Sequence, residues 1–131
     1  MKALIAEDDS TSRLLLKALL KPWCLADAVE NGAKAVEAAR EALKAGLPYD
    51  LVILDCLMPE MDGPTALRGI RQLETEAGLA PGKTARIILA TAHDEQGALA
   101  EGLGELCDAI VAKPLDRTKI GAVFGTLGLG A

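Results

Sequence analysis

The chain has 131 residues, and 14 basic side chains against 19 acidic ones leave a formal charge of −5, with half the residues hydrophobic and a quarter charged. That composition fills one core of ordinary domain size and excludes intrinsic disorder, while a pI near 4.9 argues against a phosphate backbone as partner, which needs a basic face. Trp23, Tyr49 and Phe124 are the whole aromatic complement, too few to stack single-stranded bases, so the core is aliphatic.

Apolar runs and helical patterns alternate along the chain. Residues 3–6 form a short apolar run that stops at Glu7-Asp8-Asp9, as a buried strand does. Ser10 or Asp9 then caps a helix with apolar positions at Leu14, Leu15, Ala18 and Leu19, which Pro22 ends. Residues 24–29 read as a weaker strand. Asn31-Gly32 turns the chain into an Ala-rich helix over 33–45, stopped by Gly46-Leu47-Pro48. Residues 51–54 are apolar on both faces, the mark of a central parallel strand. A loop rich in Pro and Gly follows, then a helix over 65–76 launched by a turn at Asp62-Gly63. A strand over 86–90, a helix over 94–105, a strand over 109–112 and a helix over 118–127 complete the pattern. Gly97, Gly102 and Gly104 each cost about 1 kcal/mol in a helix interior, so the fourth helix is expected to be short or mobile. Five strands alternating with five helices predict an α/β fold: a doubly wound, five-stranded parallel sheet with helices on both faces.

No apolar run approaches the ~18 residues of a membrane helix, and the acidic cluster at 7–9 interrupts any signal-peptide core. Cys24, Cys56 and Cys107 are odd in number and lack Cys-x-x-Cys spacing, so they read as buried apolar side chains in a reducing compartment. The expectation is a single cytoplasmic domain over 1–131 with no output domain, no membrane contact and no direct nucleic-acid contact.

In an open parallel sheet, ligands bind outside the carboxyl ends of the strands. The residues just after the apolar runs are Glu7, Asp8 and Asp9, then Asp55, then Thr91, then Lys113-Pro114. Carboxylates gathered at one edge repel one another, which raises pKa values or demands a cation. A hard oxygen site of this kind suits Mg²⁺. Glu7, Asp8 and Asp55 sum to −3, and Mg²⁺ with Lys113 returns +3. A phosphoryl group accepted by Asp55 would be held by the same cation, by Lys113 and by the Thr91 hydroxyl.

The motifs Ile5-Ala6-Glu7-Asp8-Asp9, Asn31-Gly32, residues 51–55, Met58-Pro59-x-Met61-Asp62-Gly63, Thr91-Ala92 and Lys113-Pro114 together resemble the receiver domain of two-component response regulators, over essentially the whole chain. The resemblance implies the strand order 2-1-3-4-5. It also implies roles: Asp55 as phosphoacceptor, Asp8 as a direct Mg²⁺ ligand, Glu7 acting through bound water, and the backbone carbonyl of Leu57 as a further ligand. Thr91 and Lys113 would contact the phosphoryl oxygens, and Pro114 would follow a cis bond. Asp9 falls outside the metal shell and starts the first helix.

Two departures stand out. The family's aromatic switch, three positions before the lysine, is Ile110 here, and the glycine usual before the fifth strand is replaced by Leu106. Leu57 and His93 flank the path of hydrolytic water in such domains; a leucine cannot orient water, so slow to moderate loss of the phosphoryl group is expected, with His93 as a modulator. The implied partners are a sensor histidine kinase or histidine phosphotransfer protein and a downstream protein target. A phosphorelay intermediate, a phosphate sink and a degenerate receiver used as a scaffold remain open alternatives. A dehalogenase-type phosphatase needs a second Asp two residues after the nucleophile, where Leu57 stands.

Overall fold

A computed structural model describes residues 1–129, with His93 described by its backbone alone. Five parallel strands, β1 (Lys2–Ala6), β2 (Leu25–Val29), β3 (Leu51–Asp55), β4 (Arg86–Thr91) and β5 (Ala109–Ala112), form one sheet in the order β2-β1-β3-β4-β5. The sheet is wrapped by α1 (Ser10–Leu20), α2 (Gly32–Lys44), α3 (Gly63–Glu76), α4 (Gln96–Leu103) and α5 (Arg117–Leu127), with a 3₁₀ turn at His93–Glu95 before α4. The expected fold class and strand order are both present.

Side chains alternate between the two faces of a strand, and the core divides accordingly. Leu4, Ala6, Val52, Leu54, Ile87 and Leu89 pack against α2, α3 and α4 through Ala35, Ala39, Leu67, Ile70 and Leu103. Ala3, Ile5, Leu51, Ile53 and Ile88 meet α1 and α5 on the other face through Leu16, Leu20, Ile120 and Phe124. β3 is buried along its whole length, as its two-sided apolarity predicts. The few aromatics are used locally: Trp23 meets Phe124 edge-on, with centroids 5.0 Å apart.

Four of the five helices start on a side-chain cap. Asp9, Asn31, Asp62 and Asp116 accept hydrogen bonds from the N–H groups of Ser12, Lys34, Thr65 and Lys119 at 2.8–2.9 Å, each worth about 1 kcal/mol. The Asp62 cap lets α3 begin at Gly63, two residues before the sequence pattern does.

Two expectations need correction. The buried face of α1 is Leu16 and Leu20, not Leu14 and Leu15, which are 70% and 60% exposed; Ala18 is exposed as well. A run of three leucines is compatible with several helical phases, and the Asp9 cap selects the one that turns Leu16 and Leu20 to the sheet. The fourth helix is eight residues rather than twelve, because its expected start is the 3₁₀ turn and Gly104 ends it. Among the described residues, no helix is long and apolar enough to cross a membrane.

Candidate functional site

The backbone ladder places the site. Ala6 pairs with Leu54, Asp55 with Ala90 and Thr91 with Ala112, so the residues that follow β1, β3, β4 and β5 share one edge. Hydrogen bonds just past the strands keep that edge in register: Glu7 N–H to Val29 O at 3.1 Å, Cys56 N–H to Ala90 O at 2.9 Å, and Lys113 N–H to Thr91 O at 2.7 Å. The Arg13 guanidinium donates to the carbonyls of Glu7 and Asp8 at 2.8 and 3.1 Å, and Lys119 Nζ donates to those of Ala112 and Pro114 at 2.9 and 3.0 Å. The Lys113–Pro114 bond is cis.

Glu7, Asp8 and Asp55 each offer a carboxylate oxygen within 4.8 Å of the others. Glu7 and Asp55 are buried and Asp8 is exposed. Lys113 Nζ lies 3.0 Å from Asp55 Oδ2 and 3.7 Å from Glu7 Oε2. Glu7 Oε2 is fully buried and has no hydrogen-bond partner among the described residues. Burial first, then the proton that a protonated Glu7 could share with Asp55 and the Asp55 charge, push the Glu7 carboxyl up to about 8. Partial burial opposes the Lys113 ammonium, but the hydrogen bond to Asp55 and the charges of Asp55, Glu7 and Asp8 outweigh it and hold its pKa above the usual lysine value.

Three hard oxygen donors at this separation, one of them orphaned and buried, fit a small divalent cation such as Mg²⁺. Burial beside Asp55 favours the protonated form of that same Glu7 carboxyl. The site opens into a cleft of about 630 Å³ whose walls include Leu15, Leu19 and Leu115 as well as Asp55, Thr91 and Lys113.

The remaining sequence-predicted residues fall around this centre. Thr91 is buried, but its hydroxyl donates to Glu95 Oε2 at 3.4 Å. Leu57 is 74% exposed, and its N–H donates to Asp55 Oδ1 at 3.4 Å. Pro114 lines the cleft. Ile110 packs into the core on the α4 face, and its carbonyl accepts from Gln96 Nε2 at 3.2 Å. The His93 side chain lies outside the described residues. Asp9 caps α1 and stands apart from the carboxylate cluster. Sequence reading missed Glu95 and the apolar wall. Glu95 carried no signal of this, because Thr91 ends β4 and it is the 3₁₀ turn after Ala92 that brings Glu95 back to it.

A family model described as "Response regulator receiver domain" matches residues 3–124. The chain is 31% identical over 130 residues to "Probable histidine kinase 2" of Oryza sativa subsp. indica, covering 92% of this chain but 12% of that kinase. It is 30% identical over 132 residues to "Two-component response regulator ORR41" of Oryza sativa subsp. japonica, covering 98% of this chain and 95% of the relative. The chain thus spans a small part of the kinase it matches and nearly all of the regulator. Among solved structures, the receiver domain of the histidine kinase CKI1 from Arabidopsis thaliana, complexed with Mg²⁺ and BeF₃⁻, is similar at a TM-score of 0.76 and 28% identity, over 95% of this chain and 89% of that one.

Proposed function

The chain belongs to the response regulator receiver domain family of two-component signalling, and from that premise we propose that Asp55 accepts a phosphoryl group from a phosphohistidine on a sensor kinase or phosphotransfer protein. The observation that carries this reading is the setting of Asp55: a buried carboxylate on a central strand, 3.0 Å from a lysine ammonium, in a cleft beside two further acids.

An Asp55 carboxylate oxygen attacks phosphorus, the phosphorus–nitrogen bond to the imidazole breaks, and the imidazole leaves as the acyl phosphate forms. Lys113, already paired with Asp55, turns its ammonium to the transferred oxygens. Thr91 exchanges Glu95 for a phosphoryl oxygen. Asp8, Asp55 and the Leu57 carbonyl would hold Mg²⁺, with Glu7 acting through water; when bound, the ion neutralises charge on the transferring group. Burial of Asp55 and Glu7 strengthens each of these interactions by lowering the local dielectric.

The readout of the new charge must travel without an aromatic at Ile110. The route open to this chain runs from Thr91 through Glu95 and Gln96, at the start of α4, to the Ile110 carbonyl. The downstream step is a change in binding of a protein target, and the domain works in the cytoplasm.

Intact-mass analysis after incubation with acetyl phosphate and Mg²⁺ tests the reading. A phosphoryl-sized gain that disappears with chelator and in Asp55→Asn is expected. No gain from acetyl phosphate or from a phosphorylated histidine donor would favour a scaffold that has lost the chemistry.

A further inference from the structure

The loop after Asp55 carries Leu57, and its shape is set from two sides. On its inner side, Gly63 N–H closes the base onto Cys56 O at 3.0 Å, and Met61 N–H turns back to Pro59 O at 2.7 Å. Between them Glu60 sits in the left-handed region, φ 67°, a conformation non-glycine residues adopt only when their surroundings impose it.

The outer side is held by a turn from elsewhere in the sheet. β1 separates β2 from β3 in the strand order, so no ladder bond joins those two strands. Yet Gly32, at the start of α2, donates its N–H to Met61 O at 3.0 Å. A Cβ at Gly32 would stand 2.4 Å from that same oxygen and 2.9 Å from Asp62 O, so the approach requires glycine. Beside it, Asn31 is 96% buried (4% exposed). Its Oδ1 accepts the Lys34 N–H at 2.9 Å, and its Nδ2 donates to Glu60 Oε2 at 3.4 Å. One side chain thus caps α2 and grips the strained residue of the loop.

We propose that the Asn31–Gly32 turn is a positioning element for the phosphoacceptor site: it clamps Glu60 and Met61 and so fixes the height of the loop that presents the Leu57 carbonyl. This rests on the reading of Leu57 as a cation ligand. Asn31 and Gly32 touch neither the cation nor the phosphoryl group, and they act through the loop alone.

A charge-reversed pair separates clamping from folding. Asn31→Asp keeps the α2 cap, because a carboxylate accepts the Lys34 N–H equally well, but it sets like charges against each other at Glu60. Glu60→Gln in the same chain restores a hydrogen bond of reversed direction, with the glutamine amide donating to the new carboxylate. Amide exchange over residues 57–62 in metal-free protein, and Mg²⁺ affinity by calorimetry, are the two readouts.

For Asn31→Asp the expectation is faster exchange in 57–62, unchanged exchange in α2, and Mg²⁺ affinity weaker by about 10-fold, the scale of outer-shell changes at metal sites. The double variant should recover both. Unchanged loop exchange in Asn31→Asp, or no recovery in the double variant, would overturn the clamp. If the unmodified protein bound no Mg²⁺, the reading of the site would fail, and the exchange experiment would still decide the clamp.

Discussion

The two ends of the sheet both gather buried charge, and they treat it oppositely. At the amino end of β4 and β5, the Arg71 guanidinium donates to Leu106 O, Glu74 Oε1, Ala85 O and Asp108 Oδ2 at 2.6–3.0 Å. The carboxylates are satisfied in turn: Glu74 accepts the Ala85 N–H at 2.7 Å, and Asp108 accepts the Ile87 N–H at 2.8 Å. At the carboxyl end, three carboxylates cluster, two of them beside one half-exposed ammonium, and Glu7 Oε2 has no hydrogen-bond partner among the described residues. A closed network of this kind holds structure together, whereas an open one marks a place where something else is meant to bind.

The contrast predicts unequal costs for the same kind of deletion. Arg71→Ala strands the buried Glu74 and should lower unfolding free energy by about 3 kcal/mol, the scale of breaking a buried pair from one side. Lys113→Ala removes a half-exposed ammonium that water already solvates, so the loss in urea unfolding should be smaller, about 1 kcal/mol. Equal losses would erase the distinction. Only Lys113→Ala should slow phosphorylation of Asp55.

Glu7 and Glu74 should respond in opposite ways to the same substitution. Glu7→Gln removes the carboxylate without changing its shape, and at pH 8 without cation it should stabilise the protein by about 1–2 kcal/mol, the cost of an unsatisfied buried polar group. The same change at Glu74 should destabilise. The pH dependence carries the same sign. Glu7 is raised from 4.5 to about 8 in the fold, so between those values the native state holds a proton that the unfolded chain has released. Metal-free stability should therefore fall as pH rises from about 5 to 8. Asp9, Glu30 and Asp62 are lowered instead, and their contributions are lost only as pH falls through the ordinary carboxylate range and below. Thermal melts in chelator should show this slope, and Glu7→Gln should flatten it. Mg²⁺ should stabilise by mass action, more at pH 8 than at pH 6.

The open end was largely legible in the sequence and the closed end was not, for a physical reason. Asp55, Glu7, Asp8, Thr91 and Lys113 follow directly from strand ends, because a parallel sheet with known order brings those ends together whatever the side chains do. The Arg71 network joins residues up to 37 positions apart through the reach of one long side chain, and periodicity carries no trace of that. The phase of α1 depended on which residue capped it, and a triple leucine concealed the answer. Asn31-Gly32 was visible as a turn; that the turn grips Glu60 and Met61 became visible only when α2 and α3 were packed side by side.

Glu7 couples the cation site to a proton. With its carboxyl pushed up to about 8, Glu7 should give up a proton when a divalent cation binds beside it. Calorimetric titration of Mg²⁺ near pH 7, in two buffers of different ionisation enthalpy, measures this directly. A cation site that includes Glu7 requires saturable binding with an apparent enthalpy that differs between the buffers, as proton release demands, and a buffer-independent enthalpy in Glu7→Gln. Absence of binding, or binding to the unmodified protein with no proton released, would contradict it.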